Sequence, residues 1–166
     1  MGKLGREIAG VTAEVRDEML RAYADEWFAH YNYFFVAHVL NGPSSPPIAA
    51  LLRRKSDEAL VRADRLALRL IELGEEPTAK LTNLIDVASD KPFKLQDDLH
   101  DIDGLLKAVL DADRTSLRTF QRLHELTRNR DVLTEALMLD LLRQAVAGEQ
   151  ELERLLSEEA PEMTGR

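Results

Sequence analysis

Cysteine is absent from the 166 residues, which excludes disulfides, thiolate nucleophiles and cysteine-ligated metals. Proline and glycine are scarce, with six and eight residues, and aromatic residues make up only 5% of the chain. No apolar run approaches the ~18 residues that a membrane-spanning helix needs, and no signal-peptide pattern follows the N-terminus. These absences predict a cytoplasmic protein without a membrane segment.

Positive charge is also in short supply. The chain has 22 lysines and arginines against 30 aspartates and glutamates, which gives a formal net charge of −8. Because non-specific binding to DNA needs cations that displace counterions from the phosphates, we do not expect DNA to be a partner. Hydrophobic residues at 45% and charged residues at 31% are typical of a soluble globular domain.

The few breakers divide the chain into four segments of helical periodicity. Apolar side chains recur every three or four residues, which predicts amphipathic helices at about 12–40, 46–73, 98–128 and 132–158. Short turns join the first helix to the second and the third to the fourth, so each pair is antiparallel. The link at about 74–97 is long enough to travel back along a bundle of about 40 Å. This pattern predicts an all-α, ferritin-like four-helix bundle with one long crossover between its second and third helices, and it makes residues 1–166 one domain.

Two carboxylates fall on the apolar inner faces of these helices. Glu26 lies on the inner face of the first helix, and Asp113 lies on that of the third. Bundles that hold two irons take one carboxylate from each of two helices and a Glu-x-x-His pair from each of the other two. Glu26 and Asp113 therefore match the two single carboxylates of such a site.

The other two helices carry the spacing of this site without its ligands. At the same depth the second helix has Ala59 and Arg62, and the fourth has Ala145 and Gly148. Each pair keeps the separation of three that places two side chains on one face. Neither pair supplies a carboxylate or an imidazole.

Two segments carry a resemblance to a known family, YADEWFAHYNY at 23–33 and ADRLALRLIELGEEP at 63–77. The first resembles the first helix of bacterioferritins and Dps-like proteins, and the second resembles their second helix and its exit. The opening MGKLGREI and the Gly42-Pro43 turn are similar to the thioferritin subfamily. The resemblance covers nearly the whole chain. It implies a hollow homo-oligomer, commonly a dodecamer, and an ancestry in iron and peroxide chemistry.

The resemblance also shows where the chain departs from the family. The Glu and His of the second helix fall on Ala59 and Arg62, and those of the fourth fall on Ala145 and Gly148. Four of six iron ligands are therefore replaced, and Glu26 and Asp113 remain. Whether the chain is an enzyme is open at this point, because the family implies ferroxidase or peroxide-consuming activity and most of the ligands are missing.

Other family sites are missing as well. The methionine that binds haem in bacterioferritins falls on Leu60, so no haem is expected. The thioferritin cysteine pair falls on Leu84 and Thr115. In the intersubunit site of Dps-like proteins Asp64 is retained, and Leu68 replaces the second carboxylate.

The residues leave three interpretations of the function open. The first is a shell subunit with a degenerate ferroxidase centre, which assembles alone or with an active relative and needs no cofactor. In this interpretation Arg62 bridges Glu26 and Asp113, because buried charges need partners. The second is an active mini-ferritin that holds iron at an unusual site, with Glu26, His30 and Asp113 as ligands. The third is a bundle whose emptied centre binds a small molecule.

Aromatic residues on the first helix predict a subunit contact. Trp27, Tyr31 and Phe34 lie off its inner face, where a monomer would expose them as an apolar patch. We therefore expect a homo-oligomer built on a dimer of the first and second helices.

Overall fold

Four long helices form a bundle in the computed structural model, which describes residues 12–40, 45–77, 80–89 and 101–159. The helices of these residues are α1 (Ala13–Val39), α2 (Ser45–Glu72), α3 (Leu81–Val87), α4 (Ile102–Thr127) and α5 (Val132–Glu159). Helix α1 packs mainly against α2, and α4 packs against α5, while α1 also contacts α4 and α3. The prediction of an all-α four-helix bundle with one long crossover is confirmed. Within the described residues no helix is long and apolar enough to cross a lipid bilayer.

Local signals in the sequence set most helix ends. The Thr12 side chain caps α1 by accepting a hydrogen bond from the backbone N–H of Val15 at 3.3 Å. Gly74 follows α2 with a φ of 87°, and Asn129 occupies the turn between α4 and α5 with a φ of 59°. The predicted bounds of the first, second and fourth helices therefore agree with the observed ones to within one residue.

The start of the third long helix is a correction. Helix α4 begins at Ile102, whereas the periodicity predicted about residue 98. Asp101 has a non-helical backbone, and its side chain accepts a hydrogen bond from the backbone N–H of Gly104 at 2.8 Å. An N-cap of this kind marks the helix start, and residues 98–100 lie outside the described part of the chain.

The long crossover contains a short helix that the sequence analysis did not predict. Leu84 of α3 is buried in the bundle core, and the Ser89 backbone N–H donates to Asp25 Oδ1 of α1 at 2.6 Å. A seven-residue helix shows only one repeat of the apolar spacing, which is too little to distinguish it from a loop. These contacts attach the described part of the crossover to α1.

The core consists of two apolar clusters. The first is centred on Met19, Leu66, Leu123 and Leu141, and the second is centred on Tyr33, Leu52, Leu106 and Leu152. The buried charged residues Glu26 and Lys55 belong to neither cluster. A polar layer therefore interrupts the core near the middle of the bundle.

Candidate functional site

Three helices supply the side chains of the polar layer. Helix α1 contributes Glu26, α4 contributes Asp113, and α2 contributes Lys55 and Arg62. Lys55 and Arg62 are seven residues apart, so both project from the same face of α2 two turns from each other. The two carboxylates and two cations form two ion pairs.

Glu26 and Arg62 form the first pair. The Glu26 carboxyl is fully buried, and Arg62 Nε donates a hydrogen bond to its Oε2 at 2.8 Å. Burial is the largest influence on this carboxyl and raises its pKa, while the charge and hydrogen bond of Arg62 act in the opposite direction. Burial acts to lower the pKa of the Arg62 guanidinium, but the charge and hydrogen bond of Glu26, together with the charge of Asp113, outweigh it and raise this pKa. The predicted contact between Arg62 and Glu26 is confirmed.

The second oxygen of Glu26 is less well satisfied. Oε1 is buried and has no hydrogen-bond partner of normal geometry within the described residues. The Ser116 side chain on α4 lowers the pKa of Glu26 and so favours its charged form. It does not form a hydrogen bond of normal geometry with Oε1. An incompletely satisfied buried carboxylate is costly, so this position is a weak point of the core.

Asp113 forms the second pair, and its partner is a correction. Lys55 Nζ lies 2.5 Å from Asp113 Oδ2, and the hydroxyl of the buried Tyr33 donates to Oδ1 at 2.9 Å. The Asp113 carboxylate thus accepts from two donors, neither of which is Arg62. The prediction that one guanidinium bridges both carboxylates is wrong, because the flexible stem of Lys55 reaches Asp113 from the same helix face.

Burial and the neighbouring Asp113 charge raise the pKa of Tyr33 well above its ordinary value. The phenol therefore stays protonated and acts as a donor at neutral pH. Its role is to fix the orientation of the Asp113 carboxylate.

Small residues make room for the lysine. A Cβ atom at Gly148 would lie 3.2 Å from Lys55 Nζ and 3.4 Å from Asp113 Oδ2. Ala59 is fully buried beside the polar layer, and Ala145 packs against the first apolar cluster. The volume that large ligand side chains would take is occupied in part by the ammonium group of Lys55.

His30 does not join the two carboxylates. Its Nδ1 lies 2.9 Å from Ser56 Oγ and 3.0 Å from the Ser56 carbonyl oxygen, so the imidazole is held between α1 and α2. Its ring also packs edge-on against Trp27 at a centroid distance of 5.9 Å. The predicted set of Glu26, His30 and Asp113 is therefore not assembled. Across the described ranges, no three His, Asp or Glu side chains are grouped so that they could hold a metal ion.

A small pocket remains in the polar layer. It has a volume of about 20 Å³, which is room for one water molecule or one monatomic ion. Its lining includes both cations of the layer and comprises Lys55, Glu58, Arg62, Asp113, Ser116, Phe120, Gln144, Ala145 and Gly148. The emptied centre is therefore mostly filled, with one water-sized space left.

Lys55 is the functional residue that the sequence analysis missed. It lies at the inner-face spacing of α2, three residues after Leu52 and four before Ala59. A charged residue between buried apolar ones at helical spacing is the signal that could have identified it. The ligands of a di-iron site are carboxylates and imidazoles. A comparison with such a site therefore does not identify a lysine such as Lys55.

The fold and the polar layer together define the class of protein. A four-helix bundle with one long crossover, in which carboxylates from the first and third long helices approach each other inside the core, is the ferritin-like architecture. The family model described as Ferritin, Ferritin-like domain, matches residues 17–160. The chain belongs to this family, and the predicted resemblance is confirmed.

Individual relatives point to the Dps and thioferritin branches. The DNA protection during starvation protein of Pyrococcus furiosus is 26% identical over 152 residues, which is 91% of this chain and 82% of the relative. The bacterioferritin-related protein of Bacteroides fragilis, a dodecameric thioferritin, superposes with a TM-score of 0.88 at 21% identity over 95% of this chain and 94% of that one. Dps from Thermosynechococcus elongatus gives a TM-score of 0.81 at 18% identity over 91% and 95%. At these identities the two structures establish the fold alone.

Proposed function

We propose that this chain is a shell subunit of the iron-storage and oxidative-stress branch of the family, and that its ferroxidase centre is degenerate. The observation that carries the proposal is the pairing of both retained carboxylates with cations of α2. Glu26 is paired with Arg62, and Asp113 is paired with Lys55. Two carboxylates already neutralised by cations have no charge left for a pair of irons.

The residues at the centre do not fit a di-iron group. Such a group takes about four carboxylates and two imidazoles. The positions of the missing ligands are taken by Ala59, Arg62, Ala145 and Gly148, and none of these side chains donates a lone pair to a hard cation. We therefore propose no catalytic step for iron or peroxide at this centre, and no haem site.

We propose that the subunits assemble through α1 and α2. Tyr31 and Phe34 on α1 are 62% and 49% exposed, and Val61 on α2 is 58% exposed. A groove lined by Tyr23, Trp27, Leu60, Val61, Asp64 and Ala67 runs across the same two helices. Monomeric proteins rarely expose contiguous apolar patches of this kind, so a second subunit is the expected cover.

The relatives supply the rest of the proposed assembly. The thioferritin that superposes on this chain is described as dodecameric, and we propose the same subunit number here. Co-assembly with an active relative is the alternative to a homo-oligomer. A curated relative is named for DNA protection, but with a formal charge of −8 we propose that this chain does not bind DNA. A cytoplasmic location stays a prediction.

Aerobic iron loading tests the proposal. Fe(II) is added to the purified protein, oxidation is followed by absorbance and oxygen consumption, and bound iron is measured by elemental analysis. We expect oxidation no faster than in buffer, with an active Dps protein measured in parallel as the positive control. Saturable oxidation with two irons per chain would overturn the proposal.

A restored site sharpens the experiment. The variant carries Ala59→Glu, Arg62→His, Ala145→Glu and Gly148→His, and Lys55→Ala removes the ammonium that a side chain at 148 would meet. We expect this variant to gain saturable iron binding, because it has the four missing ligands and frees both carboxylates. The matched control carries only Lys55→Ala and should stay inactive. Activity in that control would locate an iron site outside the four replaced positions.

A further inference from the structure

The polar layer holds more hydrogen-bond donors than it uses. Among the described residues, the only hydrogen bond of the Arg62 side chain runs from Nε to Glu26, which leaves both terminal NH₂ groups unpaired. Lys55 donates one of its three N–H groups, to Asp113. Arg62 and Lys55 both line the small pocket. Strong, charged donors therefore surround a space that has room for one small species.

Both carboxylate oxygens of Asp113 are already engaged. Asp113 Oδ1 accepts from Tyr33, and Oδ2 accepts from Lys55. Glu26 Oε2 accepts from Arg62, and Glu26 is not part of the pocket lining. The two cations of the pocket can donate further hydrogen bonds to an occupant that accepts them, and charge-assisted donors bind anions most strongly.

The size of the pocket restricts the occupant. Its volume of about 20 Å³ admits a monatomic ion and excludes carboxylates or phosphates with any substituent. A wider cavity of about 450 Å³ between α2 and α5 shares Glu58, Gln144 and Gly148 with it and opens to solvent. Ions can therefore reach the pocket between these two helices.

The charges around the pocket permit an anion. Each cation of the layer is paired with one carboxylate, so the core of the site is neutral before anything binds. Glu58 at the rim is half-exposed and lies 3.4 Å from Arg54 Nε. Arg54 is also paired with Glu151 at 2.5 Å, so the Glu58 charge is reduced mainly by solvent screening.

We propose that this pocket is a binding site for a halide-sized anion, held by the terminal NH₂ groups of Arg62 and the ammonium of Lys55. The inference rests on the proposed function, because a centre that held two irons would have no place for it. In this proposal, Lys55 and Arg62 of α2 convert a position that holds metal cations in the family into one that binds an anion.

Bromide in crystals of the unmodified chain tests the site directly. Crystals are grown in sodium bromide, and anomalous difference maps are recorded at the bromine edge. We expect a peak within hydrogen-bond distance of Arg62 and Lys55. Density without an anomalous signal there, or peaks at the protein surface alone, would overturn the proposal. An iron-soaked crystal with metal between Glu26 and Asp113 would instead overturn the proposed function, so the two failures are distinguishable.

Solution measurements provide the second test. The thermal unfolding temperature is measured against bromide at constant ionic strength, with gluconate, which is too large for the pocket, as the balancing anion. The variant Lys55→Met with Asp113→Asn removes one charged donor together with its partner. We expect its bromide affinity to fall about tenfold or more.

The matched control removes an ion pair outside the pocket. Arg114→Met with Glu149→Gln deletes a pair whose arginine and glutamate are both partly exposed on α4 and α5. This control should keep the bromide dependence of the unmodified chain. Equal bromide dependence in all three proteins would mean that halide binds only at the surface, which contradicts the proposal.

Discussion

Arg62 and Glu26 depend on each other inside the core. Glu26 is fully buried, and the Nε atom of Arg62 lies 2.8 Å from its Oε2 atom. A charge left alone in such a place costs far more than the intact pair contributes, because its hydration is lost without compensation. The stability of the polar layer is therefore set by whether both partners are present.

The first prediction follows from this asymmetry. Arg62→Ala leaves Glu26 unpaired and should lower the free energy of unfolding by about 3–5 kcal/mol, which is the usual range for breaking a buried pair. Glu26→Gln combined with Arg62→Met removes both charges and should cost much less. Denaturant unfolding of the three proteins measures the difference. Equal losses in the single and double variants would show that the pair is not desolvated.

Two carboxyls should give opposite dependences on pH. Burial raises the pKa of Glu26 above 4.5, so in the pH range between the unfolded and the native pKa the native chain binds a proton at Glu26 more tightly than the unfolded chain does. The contribution of Glu26 to stability is therefore largest below pH 4.5 and falls as the pH rises through its native pKa. For Asp131 burial acts to raise the pKa, but hydrogen bonds from Thr134 and Arg69 outweigh it and lower the pKa below 3.8. Its contribution is complete above pH 3.8 and is lost as the pH falls through the native value.

Variants isolate these two contributions. The unfolding free energy of the unmodified chain is compared with that of Glu26→Gln and of Asp131→Asn between pH 3 and 7. Relative to Glu26→Gln the unmodified chain should lose stability as the pH rises, and relative to Asp131→Asn it should gain stability. The same sign for both comparisons would contradict the assigned pKa directions.

At the level of the helices, Arg69 ties the end of α2 to the start of α5. Its Nη2 donates to both oxygens of Asp131 at 2.8 and 2.9 Å, and its Nε donates to Thr134 Oγ1 at 2.8 Å. The backbone N–H of Thr134 also donates to Asp131, which caps α5 in this way. All three side chains are buried, so this cluster joins two helices at one end of the bundle.

A comparison of two arginines of α2 tests the value of that cluster. Arg69→Ala should lower the unfolding free energy by about 3–5 kcal/mol, because it leaves Asp131 buried and unpaired. Arg65 also pairs with α5, through Asp140 at 2.7 Å, but both side chains are partly exposed. Arg65→Ala should therefore cost only about 0–1 kcal/mol. Similar losses in the two variants would show that burial of the ion pair is not the deciding factor.

The whole molecule presents an exposed apolar face on α1 and α2, which the proposed subunit contact would cover. Phe34→Glu places a charge in this face and should convert the assembly to monomers, because a charge in an apolar contact is desolvated without a partner. Multi-angle light scattering measures the mass. Val146→Glu on α5 is the matched control, since Val146 is an apolar residue of similar exposure, 41% against 49%. The control should retain at least the dimer, and a monomer there would place the subunit contact elsewhere.

The bundle was predictable because its signals are local and repeated. Four long apolar periodicities and a few breakers such as Gly74 and Asn129 specify the four long helices. For three of these helices the predicted ends differ from the observed ends by at most one residue. The short helix around Leu84 was not predictable, since one repeat of apolar spacing carries little information. Its position follows from a contact with α1 that is distant in sequence.

The candidate site was also predictable only in part. The inner-face positions of Glu26, Arg62 and Asp113 follow from helical spacing, because periodicity alone decides which side of a helix is buried. The partner of each carboxylate does not follow from it. Lys55 and Arg62 share one face of α2, and the choice between them depends on side-chain reach and on the space left by Gly148 across the bundle. Such a choice is made by packing between helices, and packing exists only once the chain has folded.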